Sequence, residues 1–243
     1  MAGRKLLLLI DAGSESMHVL ASRIRRLDYL VVRAKTTEEA RQLLCDPRYS
    51  VGAAVIPPDL PAANLRNALE ALRKTSVAES LAFLASGSRP PSKRRRELAH
   101  AGVEFALWEP VDAHTLRFQI NQAMAGHIPR SSRRRALRAP ASWPVELRVG
   151  RRVKEARVYS ISAKGAFLAT PAPALRRTVV VAKIPLPMAT VSTTGRVVFT
   201  NVPGNLMKRN LPVGMGVRFQ GTSPETKAFL QIYAEERRRR LAV

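Results

Sequence analysis

The sequence predicts two folded parts of different class: an α/β part with a doubly wound, five-stranded parallel sheet, then a six-stranded antiparallel β-barrel with a C-terminal helix. Three observations predict this architecture. The 243 residues are 46% hydrophobic and 24% charged, which is typical of a globular chain long enough for two domains. Apolar runs alternate with helical patterns up to residue 127, whereas short alternating strands separated by turns begin at residue 143. The formal net charge also differs between the two parts, at +5 in residues 1–128 and +18 in residues 129–243.

We therefore expect domains at 1–127 and 143–243, joined by a basic linker at 128–142. The linker segment is rich in arginine and has no convincing apolar periodicity. The net charge of the whole chain is +23, which favours a polyanionic or phosphate-bearing partner.

Five short apolar runs in the first part predict five β-strands. The run at residues 6–10 is continuous and is closed by Asp11, as expected of a strand buried on both faces. The other four runs are residues 29–32, 51–56, 81–84 and 103–107. Because helical patterns separate the runs, the strands should be parallel, with helices on both faces of the sheet.

The segments between these strands predict five helices, most of which follow a residue whose side chain can cap a helix N-terminus. The third helix is expected over residues 64–72 and the fourth over residues 94–101, where Gly102 ends it. The capping residues of the other three are Ser14 or Ser16, Thr36 or Thr37, and Asp112.

Six short segments of alternating polarity in the second part predict an antiparallel barrel. The predicted strands are residues 145–149, 155–161, 166–169, 179–184, 191–201 and 213–219.

A helix should follow the last strand and close one end of the barrel. Its start is either a capping box of Thr222 with Glu225, or a Ser223 cap followed by a proline in the first turn. Its apolar face is expected to hold Phe229, Ile232 and Tyr233.

Two segments of the first part carry a resemblance to a known family. Residues 51–61 are a strand and its loop, and residues 101–110 are a strand followed by a Glu-Pro pair. They resemble the third strand and the fifth strand with its Lys-Pro pair in the receiver domains of bacterial response regulators. The resemblance covers residues 4–126.

The resemblance implies that the phosphorylation chemistry of receivers is lost here. Receivers carry acidic residues after the first strand, a phosphoacceptor Asp after the third, a hydroxyl after the fourth and a Lys after the fifth. Asp11 matches one acid and Ser86 can supply the hydroxyl, but Pro57 occupies the phosphoacceptor position and Glu109 the Lys position. Proline cannot act as a nucleophile, and Asp59 lies two positions away. We expect a pseudo-receiver, without phosphorylation or bound metal, that serves packing, dimerisation or docking.

A second resemblance rests on the order of two motifs. Arg134 and Arg138 form R-x-x-x-R in the linker, and S-x-S-x-x-G follows one strand pair later, from Ser160 to Gly165. The arginine spacing alone is weak, because it occurs three times in this chain. The order of the motifs, ahead of a barrel and a helix, resembles the PilZ domain, a bacterial family that binds cyclic di-GMP, over residues 131–240. The residues that the resemblance implies as ligand contacts are Arg133, Arg134, Arg138, Ser160, Ser162 and Gly165.

The chemistry of these side chains suits that ligand. Arginine can form paired hydrogen bonds to phosphate oxygens or to guanine O6 and N7, and can stack on a purine. Ser162 can donate to or accept from guanine, and Gly165 predicts a turn with positive φ that a ligand can approach. Ser160 stands where the family carries Asp or Asn. Compared with an aspartate, the serine lacks a carboxylate that accepts from guanine N1 and N2, and this loss should weaken binding by about 1.5–3 kcal/mol.

Three functions therefore compete. The first is a non-enzymatic cyclic di-GMP effector, the second is a protein-interaction scaffold that has lost the ligand, and the third, least expected, is a nucleic-acid binder. The basic half lacks the interleaved aromatic residues of nucleic-acid binders, so specific nucleic-acid binding is not expected. We also expect an unidentified protein partner, or a second copy of the chain docked through the pseudo-receiver.

Several classes of protein are not expected. Cys45 is the only cysteine, the four histidines are widely spaced, and no catalytic motif is present, so neither an enzyme, a cofactor nor a metal site is predicted. The apolar run near the N-terminus is too short for a signal peptide, and no stretch is long enough to cross a membrane. A cytoplasmic protein is expected.

Overall fold

The computed structural model describes residues 5–60, 64–76, 81–125, 136–186, 190–204 and 210–243. The chain divides into two compact units. One unit comprises residues 1–133 together with residues 240–243, and the other comprises residues 134–239.

The first unit contains a five-stranded parallel sheet, as predicted. Its strands lie in the order β2-β1-β3-β4-β5, which is the flavodoxin-like arrangement of a doubly wound sheet. The strands are β1 Leu6–Ile10, β2 Leu30–Ala34, β3 Val51–Ile56, β4 Ala82–Gly87 and β5 Phe105–Trp108. Successive side chains of β1 alternate between two apolar cores, one on each face of the sheet, because strand side chains have a period of two. All six residues of β3 are buried.

Helices cover both faces of this sheet. The helices are α1 Glu15–Arg25, α2 Thr37–Cys45, α3 Leu65–Thr75, α4 Ser92–His100 and α5 Ala113–Met124. Of the alternative caps, Ser14 and Thr36 are the ones that form, since each accepts a hydrogen bond from the backbone N–H three residues ahead. Asp112 caps α5 in the same way, as predicted.

The last residues of the chain belong to this first unit, where they extend the sheet beyond β5. The backbone N–H of Ala106 donates to the carbonyl of Leu241 over 2.9 Å, and Phe105 pairs with Ala242 in antiparallel orientation. The buried side-chain amide of Gln119 donates to the same carbonyl over 2.7 Å. Residues 241–242 therefore cover the β5 edge, which sequence reasoning did not anticipate.

The second unit is a closed antiparallel barrel of six strands, as predicted. The strands are β7 Pro144–Val149, β8 Arg152–Ser162, β9 Gly165–Ala169, β10 Val179–Pro185, β11 Thr190–Asn201 and β12 Gly214–Gln220. Their order is β8-β7-β10-β11-β12-β9, and pairing of β9 with β8 closes the barrel. A further short strand, β6 Ala139–Pro140, pairs with β8 although it lies in the segment expected as linker.

One helix, α6 Pro224–Arg240, follows the barrel. Ser223 caps it by accepting from the N–H of Thr226 over 3.2 Å, whereas the Thr222 hydroxyl instead lies 3.1 Å from that of Thr193. The Ser223 alternative is therefore the one that forms.

The predicted apolar face of α6 was wrong at one position. Leu230 and Ala234 are buried, with Phe229 and Tyr233 packed beside them, but Ile232 is 56% exposed. At 100° per residue, a face that carries positions 229, 230, 233 and 234 leaves position 232 on the opposite side of the helix.

Candidate functional site

The short strand β6 brings the linker motif to the barrel. Ala139 pairs with Ile161 and Pro140 with Ser160, so the chain arrives alongside the C-terminal end of β8. The residue before this strand, Arg138, is half-buried, and its Nη1 lies 3.4 Å from Ser160 Oγ as a weak hydrogen bond. One arginine of the R-x-x-x-R motif and the first serine of the S-x-S-x-x-G motif therefore meet in the folded chain.

The two serines of the second motif are both buried, with 4% of Ser160 and 3% of Ser162 exposed. The Ser162 hydroxyl donates to the Gly165 carbonyl over 3.1 Å and accepts from the N–H of Lys164 over 3.4 Å. It thus stabilises the two-residue turn that joins β8 to β9.

The prediction of a positive φ at Gly165 was wrong. Its φ lies outside the left-handed region, and the residue pairs with Ser162 and Arg218 as the first residue of β9. A Cβ at this position would lie 2.3 Å from the Val217 carbonyl oxygen. Glycine is therefore needed because β9 and β12 approach closely, and sequence reasoning named the residue but not this reason.

A row of residues crosses the outside of the barrel at this turn. Ser162 pairs with Gly165, Gly165 with Arg218, and Arg218 with Arg196, on the consecutive strands β8, β9, β12 and β11. Paired residues share one face of a sheet, and the residues next to them along the strands lie in the barrel core, so this motif row points outward. Both arginines are exposed. Sequence reasoning missed them, although the polar–apolar alternation of their strands marks them as outward.

An aromatic group lies beside the motif row. Phe167 pairs with Ser160 on one side and with Gly216 on the other, which places it on the outer face. Its ring centroid is 5.8 Å from that of Tyr159 and 5.7 Å from that of Phe199. These rings form an apolar border to the motif row.

Arg133 and Arg134, the other two predicted contacts, lie outside the described residues.

The receiver-like positions lie at the carboxyl edge of the parallel sheet. Asp11 follows β1, Pro57 follows β3, Ser86 lies near the end of β4, and Glu109 follows β5. The Asp11 carboxylate accepts from the N–H groups of residues 13 and 14 over 2.9 and 2.7 Å and from the Ser14 hydroxyl over 2.9 Å. Its Oδ2 also lies 3.7 Å from Nη2 of Arg33. The hydrogen bonds of this carboxylate therefore stabilise the turn that leads into α1.

The other groups at this edge either form hydrogen bonds within the unit or are exposed to solvent. Ser86 is 4% exposed and its hydroxyl donates to the Leu107 carbonyl over 3.4 Å. The Arg94 Nε donates to the Pro58 carbonyl over 2.7 Å, which ties the loop after β3 to α4. Asp59 and Glu109 are exposed. Pro57, at the predicted phosphoacceptor position, carries no carboxylate.

Within the described ranges, no three histidine, cysteine or acidic residues lie close enough together to hold a metal ion. No helix in the described part of the chain is both long enough and apolar enough to cross a bilayer.

Residues 132–236 match the family model of the PilZ domain. These residues form a PilZ domain. The family predicted from the arginine pair and the serine motif is thereby confirmed. The matched residues contain β6, the six barrel strands and most of α6.

The chain is similar in fold to several solved structures. One is the inhibitor of motility MotI/DgrA of Bacillus subtilis, at 18% identity and a TM-score of 0.38, covering 47% of this chain and 57% of that one. Another is the PilZ domain of YcgR from Escherichia coli with c-di-GMP, at 17% identity and a TM-score of 0.35, covering 45% and 94%. A third is the receiver domain of the sensor histidine kinase PA1611 from Pseudomonas aeruginosa, at 18% identity and a TM-score of 0.43, covering 51% and 100%. Comparison with curated proteins gives no match.

Proposed function

We propose that this protein is a non-enzymatic bacterial signalling effector that binds cyclic di-GMP through its PilZ domain. Membership of the PilZ family supports the ligand class. The observation that carries the proposal is the approach of the Arg138 guanidinium to Ser160, beside Ser162 and the turn to β9. Two motifs separated by more than 20 residues in the sequence thus contribute to one surface.

The side chains at this surface suit a guanine nucleotide with two phosphates. The planar guanidinium of Arg138 can form two parallel hydrogen bonds to a phosphate or to guanine O6 and N7, and can stack on the base. Ser160 and Ser162 can each donate to or accept from the base. In the proposed complex, Arg133 and Arg134 add further guanidinium groups from the linker.

Ser160 sets the strength of binding in this proposal. A carboxylate at this position would accept from both guanine N1 and N2, whereas a hydroxyl is shorter and uncharged. The difference of about 1.5–3 kcal/mol corresponds to roughly ten- to a hundred-fold in affinity. The wild-type chain should therefore bind cyclic di-GMP more weakly than PilZ domains that carry the acid.

Relay of the signal follows from the position of Arg138 in the chain. This residue lies in the segment predicted as the linker and directly precedes β6, so a ligand that holds the guanidinium would connect the linker to the barrel surface. The output is then a change in domain arrangement or in the binding of a protein partner.

The second candidate function is a protein-interaction scaffold without ligand. The internal hydrogen bonds of Ser162 favour it, because this hydroxyl already bonds within the β8–β9 turn. In that case Ser160 and Ser162 are structural residues of a degenerate PilZ domain.

Isothermal titration of the full chain with cyclic di-GMP separates the two functions. The effector should bind cyclic di-GMP at physiological salt, discriminate against cyclic di-AMP, and lose the binding in Arg138→Ala. Equal binding of both dinucleotides that collapses as salt rises would indicate a nonspecific polyanion surface instead. The absence of any binding heat, with the chain folded, would favour the scaffold.

A further inference from the structure

We propose that Arg196 and Arg218 form a second anion-binding contact of the PilZ domain, which holds a phosphate of a cyclic dinucleotide bound at the serine motif. This inference rests on the proposed function and adds to it a site that lies outside both sequence motifs. Three observations carry it: the pairing of the two arginines, their lack of carboxylate partners, and their place in the motif row.

The two arginines lie directly opposite each other on adjacent strands. Arg196 of β11 pairs in register with Arg218 of β12, and both are exposed on the outer face. Directly opposed residues in an antiparallel pair have Cα atoms only about 4.5–5.5 Å apart. Like charges at such positions destabilise a sheet, so the barrel carries an unfavourable pair that a bound anion would neutralise.

Nothing in the described part of the chain compensates this pair. Neither guanidinium has a carboxylate partner there, and the outward residues paired beside them are uncharged. Lys183 on β10, by contrast, pairs with Glu146 over 2.9 Å. The exposed Arg148 and Arg152 also lack a carboxylate partner in that part of the chain, but each faces only uncharged residues in register. Among the strand pairings of the described residues, Arg196 and Arg218 are the two cations that lie directly opposite each other.

The arginine pair adjoins the proposed ligand surface. Arg218 is next to Gly165 in the motif row, and Gly165 is next to Ser162, so Arg218 lies two strands, or about 10 Å, from Ser162. Gly165 contributes no side chain between them. An arginine side chain is long enough to lean across one neighbouring strand.

Cationic groups therefore flank the serine motif on both sides. Arg138 approaches β8 from the side of β6, whereas Arg218 and Arg196 lie beyond β9 on the other side. A cyclic dinucleotide carries two phosphates on one ring, so a ligand that spans this surface meets guanidinium groups at both ends. In this arrangement Arg138 contacts one half of the ligand, and the β11–β12 pair holds a phosphate of the other half.

The test compares the full wild-type chain with the double variant Arg196→Gln/Arg218→Gln by isothermal titration with cyclic di-GMP. The charge-matched control is Arg151→Gln/Arg152→Gln, because these exposed residues lie at the opposite end of β8 from the motif row. We expect the Arg196/Arg218 variant to lose about tenfold or more in affinity and the control to bind as wild type. Wild-type affinity in the Arg196/Arg218 variant would overturn the inference.

Thermal unfolding of the same variants separates binding from folding. Removal of two opposed like charges should leave the unfolding temperature of the barrel unchanged or raise it. A lower unfolding temperature in the Arg196/Arg218 variant than in the control would assign these arginines a structural role and contradict the inference.

Titration with inorganic pyrophosphate distinguishes this inference from the proposed function. Suppose that the wild type does not bind cyclic di-GMP but binds pyrophosphate, and that the Arg196/Arg218 variant does not bind pyrophosphate. The proposed function is then wrong, whereas the anion-binding contact is confirmed. If the wild type binds neither probe, both are overturned.

Discussion

Arg138 is the residue that joins the two sequence motifs in the folded chain. Its Nη1 lies 3.4 Å from the Ser160 hydroxyl, and β6 fixes the backbone that follows it. A lysine at this position keeps the charge but replaces a planar fork with a single ammonium group. The value of Arg138 in the proposed complex therefore lies in its shape as well as its charge.

The first prediction follows from that shape. Arg138→Lys should weaken cyclic di-GMP binding nearly as much as Arg138→Ala, by about tenfold or more, as measured by isothermal titration. Arg151→Lys, at the far end of β8, is the matched control and should bind as wild type. Retention of wild-type affinity in Arg138→Lys would mean that the site uses only a point charge.

Sequence reasoning could find Arg138, Ser160 and Ser162 because their order follows a family pattern, and the structure brings Arg138 and Ser160 within hydrogen-bonding distance. It could not find Arg196 and Arg218. Their significance depends on the register of β11 against β12 and on the closure of the barrel, and neither is encoded in a local motif.

At the scale of elements, the C-terminal residues pair with the β5 edge of the first unit through an isolated β-bridge. The Leu241 carbonyl accepts from both the Ala106 backbone N–H and the Gln119 side chain. Val243 packs against the apolar core of this unit. An uncovered edge strand presents unpaired backbone groups to solvent and to other chains.

The second prediction concerns these residues. Deletion of residues 241–243 from the full chain should destabilise the first unit by about 1–3 kcal/mol, because one buried backbone donor loses its acceptor. Hydrogen exchange of the Ala106 amide should accelerate, while exchange in the barrel strand β10 should not change. Unchanged protection of Ala106 in the truncated chain would show that this pairing contributes nothing to the unit.

The elements themselves were predictable wherever periodicity was strong. The five parallel strands and six barrel strands appear with ends shifted by no more than about three residues, because burial on one or both faces leaves a clear pattern. β6 and the C-terminal residues 241–242 could not be predicted. Each is only two residues long, and each forms by pairing with a distant strand, so neither carries a period of its own.

At the scale of the whole molecule, the first unit has the doubly wound architecture, and its residues at the positions predicted to match receiver domains differ from those that phosphoryl transfer requires. Asp11 caps the turn into α1, Ser86 is buried against the Leu107 carbonyl, and Pro57 follows β3 directly. Phosphoryl transfer to a carboxylate requires the nucleophile, acids that hold Mg²⁺ and a cation that neutralises the product. Only fragments of that set are present.

The third prediction is that the full chain does not become phosphorylated by acetyl phosphate in the presence of Mg²⁺. Intact mass after incubation should equal that of the untreated protein. A mass increase of one phosphoryl group that is sensitive to hydroxylamine and maps to Asp59 or Asp11 would contradict the prediction of a pseudo-receiver.

The central claim, that the PilZ domain binds cyclic di-GMP at the Arg138–Ser160 surface, is tested most directly by titrating the wild type and Ser160→Asp with this ligand. An aspartate at position 160 would accept from guanine N1 and N2 and would face the Arg138 guanidinium. We predict measurable binding by the wild type and roughly ten- to a hundred-fold tighter binding by Ser160→Asp, whereas Ser223→Asp at the cap of α6 should match the wild type. If neither the wild type nor Ser160→Asp binds, the ligand surface is absent and the barrel is an interaction scaffold.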